Sequence, residues 1–205
     1  MEHTDILGPL NAAQRAAVAS VAPHTLVLAG AGSGKTRVLV HRIAYCLENG
    51  LAAPSGILAV TFTNKAAAEM RGRIESLLGR PTSGMWVGTF HNIAHRLLRA
   101  HWREAQLPEQ FQIMDNDDQH KLVRRIIRGL NLDDSQWLPK ESQWFINGRK
   151  DEGERPAHID TAGDSTLATM VDIYRAYEET CQRTGLVDFA ELLLRAYELV
   201  RDTPG

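Results

Sequence analysis

Cysteine is scarce in this 205-residue sequence: Cys46 and Cys181 stand alone, too far apart in the chain to form a metal-ligand pair. Two isolated thiols point to free cysteines in a reducing compartment, so a cytoplasmic location is expected and a disulfide scaffold is excluded. Long apolar runs are missing too. No stretch approaches the ~18 residues that a membrane span needs. The opening Met1-Glu2-His3-Thr4-Asp5 is acidic and lacks the basic-then-apolar order of a signal peptide. Internal repeats and low-complexity tracts are absent. What remains is 43% apolar and 23% charged residues, the balance of a soluble globular chain with a real core.

Neither sign of charge prevails: the net charge is −2. The balance is uneven along the chain, however. Residues 1–108 carry 11 basic and 6 acidic side chains, whereas residues 109–205 carry 12 and 19. A chain polarised in this way can still offer a local basic track to phosphates.

The first half alternates short apolar runs with helical patterns. Leu26-Val27-Leu28-Ala29, Ile57-Leu58-Ala59-Val60 and Met85-Trp86-Val87 have strand length, and helical segments follow at Thr36–Glu48, Lys65–Leu78 and Phe90–Glu104. Such alternation predicts parallel strands joined by crossover helices. The runs do not alternate with polar residues, which predicts strands covered on both faces. From Asp115 the pattern becomes helical, with Leu122, Ile126, Ile127 and Leu130, and later Tyr174, Tyr177, Glu178 and Cys181, at spacings of three and four. Asp115 and its acidic neighbours predict an N-cap, and Asn147 to Pro156 reads as a polar loop.

The strongest chemical signal is Ala29-Gly30-Ala31-Gly32-Ser33-Gly34-Lys35-Thr36, directly after the first apolar run. Glycines let successive backbone N–H groups turn inward and cradle phosphate oxygens. Lys35 then meets the β- and γ-phosphates of a nucleotide, and Thr36 offers its hydroxyl to Mg²⁺, while the following helix presents its positive end to the anion. A glycine turn between a strand and a helix has no need of the closing Lys-Thr. The expected ligands are therefore ATP and Mg²⁺, with Lys35 and Thr36 as the catalytic pair.

Around this loop the sequence resembles the UvrD/Rep family of superfamily 1 DNA helicases in several ordered strings. Leu10 to Val18 is similar to the family's Q motif, which implies that Gln14 reads the adenine edge, although an exposed helix glutamine is the commoner fate of this residue type. The resemblance places Arg37 near the nucleotide base or sugar; a solvated helix arginine accounts for it equally well. Thr61-Phe62-Thr63-Asn64-Lys65-Ala66-Ala67-Ala68-Glu69-Met70-Arg71 is similar to motif Ia, and Val87-Gly88-Thr89-Phe90-His91 to motif Ib. In the family these strings hold single-stranded DNA. The implied contacts are Phe62 stacking on a base, with Thr61, Thr63, Asn64, Thr89, Phe90 and His91 on the strand. His91, His95 and His101 suggest a metal only superficially, because Asn92 stands where a zinc protease has its glutamate. Leu186 to Leu193 is similar to the stretch that precedes motif II, and Asp188 within it also reads as an N-cap.

The resemblance implies an α/β fold: part of a RecA-like P-loop NTPase domain with a parallel sheet over residues 1–108, and a mostly helical accessory insertion over residues 109–205. Its activity is ATP-dependent translocation on single-stranded DNA with duplex unwinding, in DNA repair. Single-stranded DNA, single/double-strand junctions and DNA-repair proteins are the expected partners, and no membrane is. The family's Asp-Glu pair, which completes the Mg²⁺ site, does not occur before Gly205. Loss of one transition-state partner costs about a hundredfold or more in rate, so the 205-residue chain by itself is expected not to unwind DNA. Two other readings compete: a non-catalytic nucleotide- or DNA-binding module, and the motor part of a helicase–nuclease.

Overall fold

The computed structural model describes residues 5–203. The acidic start read at Met1-Glu2-His3-Thr4 and the final Pro204-Gly205 lie outside the described residues. The chain divides after Ile93 into two compact units.

The first unit contains α1 (Ala12–Val18), α2 (Lys35–Glu48), β1 (Leu58–Thr61), α3 (Asn64–Leu78), β2 (Trp86–Thr89) and the start of α4 (Phe90–Ala100). Helix starts follow the local chemistry. Asn11 caps α1 and exchanges a reciprocal pair of bonds with Gln14, and the Thr63 hydroxyl accepts from Ala66 N at 3.1 Å to cap α3. Strands β1 and β2 are parallel, in register from Leu58 opposite Trp86 to Thr61 opposite Thr89. Val40, Ile43, Ala44 and Leu47 of α2 pack with Met70, Ile74 and Leu78 of α3 over Ala59 and Met85. Full burial of a side chain such as Ile74 contributes about 1.5–3 kcal/mol, which makes this helix pair the main support for the two strands.

Two expectations are corrected here. Leu26–Ala29 runs between α1 and the glycine loop without strand pairing, with Leu26 82% and Leu28 85% exposed. A strand exists only as part of a ladder, and this segment has no ladder partner among the described residues. Nor is β1 covered on both faces, since Leu58 at its start is 62% exposed.

The second unit continues α4 and adds β3 (Gln112–Ile113), α5 (Asn116–Gly129), α6 (Pro139–Asp151), α7 (Ser165–Thr184), β4 (Leu186–Val187) and α8 (Phe189–Asp202). Asp115, Asp164 and Asp188 each cap a helix through a side-chain oxygen, on α5, α7 and α8 respectively. Strands β3 and β4 form a short parallel pair. Gly185 ends α7 at φ +69°, and an added Cβ there would stand 2.8 Å from Pro108 Cγ, so both backbone and space require glycine. One core gathers Val123, Ile127, Ile146, Ile173, Tyr174 and Tyr177. Both units together are α/β, with parallel strands and a majority of helix.

The polar run from Asn147 is also corrected: Asn147–Asp151 is the last part of α6, and the loop begins at Glu152. Tertiary partners override the local composition. Asn147 Oδ1 accepts from Gln119 Nε2 at 2.7 Å, and Lys150 turns inward to Asp188 Oδ2 at 2.6 Å and Glu191 Oε2 at 2.8 Å. Around Glu191 lie Arg155 at 2.9 Å and Arg195 at 2.7 Å, and Arg155 also reaches Glu178 at 2.6 Å and Glu198 at 2.5 Å. Tyr177 donates its hydroxyl to Asp188 Oδ2 at 2.7 Å. No buried side-chain nitrogen or oxygen among the described residues lacks a partner, so this charged core is fully satisfied.

Candidate nucleotide and DNA site

The glycine loop occupies the turn before α2. Gly32 and Gly34 hold φ of +74° and +86°, and Gly34 forms the left-handed N-cap of α2. An added Cβ at Gly34 would stand 2.9 Å from the mobile end of Gln14, so it is the positive φ that calls for glycine there. Ser33 Oγ donates to Gly30 O at 2.6 Å and tightens the turn. Lys35 Nζ donates to Ala29 O at 2.9 Å and Gly30 O at 2.7 Å, which folds the ammonium back across the loop. Ala29, Ala31 and Thr36 are exposed, and Thr36 belongs to the first turn of α2.

Gln14 contacts this loop, and Arg37, in the first turn of α2, reaches back to Pro9. The Gln14 side chain donates from Nε2 to Ser33 O at 3.2 Å, and its Oε1 accepts from Asn11 N at 3.2 Å. Capping and loop contact thus fix the amide of Gln14 beside the glycine loop. Arg37 donates to Pro9 O at 2.7 Å and remains exposed. The loop, Gln14 and Arg37 therefore share one end of α2, the end where its dipole is positive.

The other sequence-derived residues gather at the carboxyl ends of β1 and β2. Because Thr61 pairs with Thr89 in parallel register, the residues that follow them, Phe62 and Phe90, become neighbours. Their rings lie 6.0 Å apart at 52°, and they are 88% and 52% exposed. Two exposed rings side by side offer flat faces on which other rings can stack. Thr63 caps α3 and Asn64 opens it, and His91 is exposed in the first turn of α4.

Arg71 and Asn92 make contacts at this edge that were not read from the sequence. Arg71 donates to Val87 O at 3.1 Å, tying α3 to β2. Asn92 Nδ2 donates to Asn64 Oδ1 at 2.7 Å, and Asn92 N donates to Thr89 Oγ1 at 3.3 Å. The spacing Thr89-x-x-Asn92 at a helix start was the available sign, since a hydroxyl three residues before an N–H makes a cap. Further along α4, His95 receives Arg99 Nε at 3.0 Å. Partial burial and then the Arg99 charge lower its pKa below the ordinary value.

A family model described as the UvrD/REP helicase N-terminal domain matches residues 10–205, and the chain belongs to that family. Among its relatives, DNA helicase II of Salmonella typhimurium is 57% identical over 204 residues, which is all of this chain and 28% of that protein. DNA helicase II of Escherichia coli is 56% identical over the same share. The ATP-dependent DNA helicase PcrA of Bacillus subtilis is 36% identical over 200 residues, 97% of this chain and 27% of that protein. The chain thus spans little more than a quarter of the length of these relatives. No helix among the described residues is long and apolar enough to cross a membrane.

Proposed function

We propose that this chain is the ATP- and single-stranded-DNA-binding part of an ATP-dependent DNA helicase that translocates on single-stranded DNA and unwinds duplex in repair. The observation that carries this reading is the pairing of two features in the first unit: a glycine cradle closed by Lys35, and an exposed Phe62–Phe90 edge at the strand ends. In this reading residues 1–108 are the start of a RecA-like motor domain and residues 109–205 its helical accessory insertion. Ligand sites outside the carboxyl ends of parallel strands are the rule for such sheets.

In the nucleotide site, the N–H groups of Gly30 to Lys35 bind phosphate, and the Lys35 ammonium leaves its two carbonyls for the β- and γ-oxygens. Gln14 and Arg37 read the base and sugar. The exposed Thr36 hydroxyl would be a ligand for Mg²⁺, which would supply charge neutralisation at the phosphates. On the DNA edge, Phe62 and Phe90 stack bases, while Thr61, Thr63, Asn64, Thr89 and His91 meet the backbone. Partners of this class are single-stranded DNA, its junctions with duplex, and repair proteins, in the cytoplasm.

The test is fluorescence anisotropy of a labelled oligothymidylate and of a blunt duplex of equal length. The chain is expected to bind the single strand at least about tenfold more tightly, because stacking requires unpaired bases and contributes about 1–3 kcal/mol per base. Equal affinity for both would leave only general phosphate attraction, and the aromatic edge would then have no role in DNA binding.

A further inference from the structure

We infer that Asn92 is a positioning residue for DNA: it fixes the amide of Asn64 so that Asn64 faces the strand as a hydrogen-bond donor. The inference rests on the reading of the Phe62–Phe90 edge as a single-strand site. Asn64 is the first residue of α3 and is exposed on that edge. A side-chain amide is two-faced, with a carbonyl that accepts and an NH₂ that donates, and rotation by half a turn exchanges them. Left alone, Asn64 would present either face to a passing strand.

Asn92 removes that freedom. Its Nδ2 donates to Asn64 Oδ1 at 2.7 Å across 28 residues of sequence, so the carbonyl of Asn64 is engaged and its NH₂ is turned away from Asn92. The backbone N–H of Asn92 is bound to the Thr89 hydroxyl at 3.3 Å, which anchors the turn from which its side chain reaches. A chain of contacts therefore runs from the end of β2 through the first turn of α4 to the first residue of α3. Phosphate oxygens only accept hydrogen bonds, so the orientation that Asn92 imposes is the one a nucleic-acid backbone needs. The same contact joins the first turns of α3 and α4, beside Phe62 and Phe90. Between two exposed side chains, this bond adds little to folding; its consequence is direction.

The experiment is a binding cycle on oligothymidylate with the 205-residue chain, using Asn64→Ala, Asn92→Ala and the double variant, with thermal unfolding of each as a control. Asn92→Ala is expected to weaken binding about three- to tenfold, the range of one net hydrogen bond, without a shift in the unfolding midpoint. In the Asn64→Ala background the same change is expected to cost nothing further. Asn92→Asp keeps the shape of the side chain but offers Asn64 only acceptors, which turns the Asn64 carbonyl toward the DNA. It is expected to weaken binding more than Asn92→Ala, and most of that extra loss should vanish once Asn64 is alanine. A loss from Asn92→Ala that persists in the Asn64→Ala background would mean general distortion of the edge and would overturn the inference. So would full affinity in either single alanine variant. If the unsubstituted chain fails to bind the oligonucleotide, the single-strand reading itself falls and takes the inference with it.

Discussion

Lys150→Met is expected to destabilise the second unit by about 3–5 kcal/mol, read as a lower urea midpoint at pH 7. The ammonium is almost wholly buried, at 1% side-chain exposure, and it pairs with Asp188 at 2.6 Å and Glu191 at 2.8 Å. Glu191 would keep Arg155 and Arg195, so the cost falls mainly on Asp188, left with only the Tyr177 hydroxyl and the Glu191 N–H. Adding Asp188→Asn removes the stranded charge and is expected to recover more than half of the loss. Burial by itself pushes the Glu191 carboxyl upward; Lys150, then Arg155 and Arg195, outweigh it and hold the group well below its ordinary value of 4.5. Burial likewise pushes Lys150 down, and Glu191 and Asp188 outweigh that, raising it above its ordinary 10.5. A depressed carboxyl stabilises fully above 4.5 and loses its contribution as pH falls toward the folded value, whereas a raised ammonium stabilises fully below 10.5 and loses its contribution at higher pH. Stability of this unit should therefore be level between those limits and fall away outside them. A midpoint that climbs steadily from neutral pH into acid would contradict the assignment.

Phe62→Ala with Phe90→Ala is expected to weaken binding of oligothymidylate by about a hundredfold, since stacking on each ring contributes about 1–3 kcal/mol. Folding should change little, because Phe62 is 88% exposed and gives up almost no buried surface on truncation. Tryptophan at either position preserves a stacking face and is expected to retain most of the affinity. The single variants should together cost more than the double if both rings sandwich one base, and about the same if each stacks its own. Unchanged affinity in the double variant, measured at one fixed salt concentration, would remove the aromatic edge from the DNA site.

How much of this was legible in the sequence depends on how local each cause is. The turn of the glycine loop was local: Gly34 takes a positive φ that glycine allows, and Lys35-Thr36 opens α2 directly after it. The caps at Asp115 and Asp188 were equally local, each using an N–H three residues on. The Phe62–Phe90 neighbourhood was not local, because it depends on the register that sets Thr61 opposite Thr89. Lys150 was misread for the same reason. Its run Asn147-Gly148-Arg149-Lys150-Asp151 is composed like a surface loop, and only Asp188, distant in sequence, explains why the lysine is buried. Leu26–Ala29 erred in the opposite direction. Its composition is that of a buried strand, yet pairing is supplied by a neighbour and not by the segment itself.

The central claim is that the loop from Ala29 to Thr36 binds nucleotide phosphate through Lys35, and a titration of a fluorescent ATP analogue tests it most directly. The titration is run on the chain and on Lys35→Ala, each with and without Mg²⁺, after circular dichroism has shown both to be folded. Saturable binding, strengthened by Mg²⁺ and weakened about 10- to 100-fold in Lys35→Ala, is the result this account predicts, that being the range for a hydrogen-bonded charge. Binding of equal strength in both proteins, or none in the folded unsubstituted chain, would contradict it.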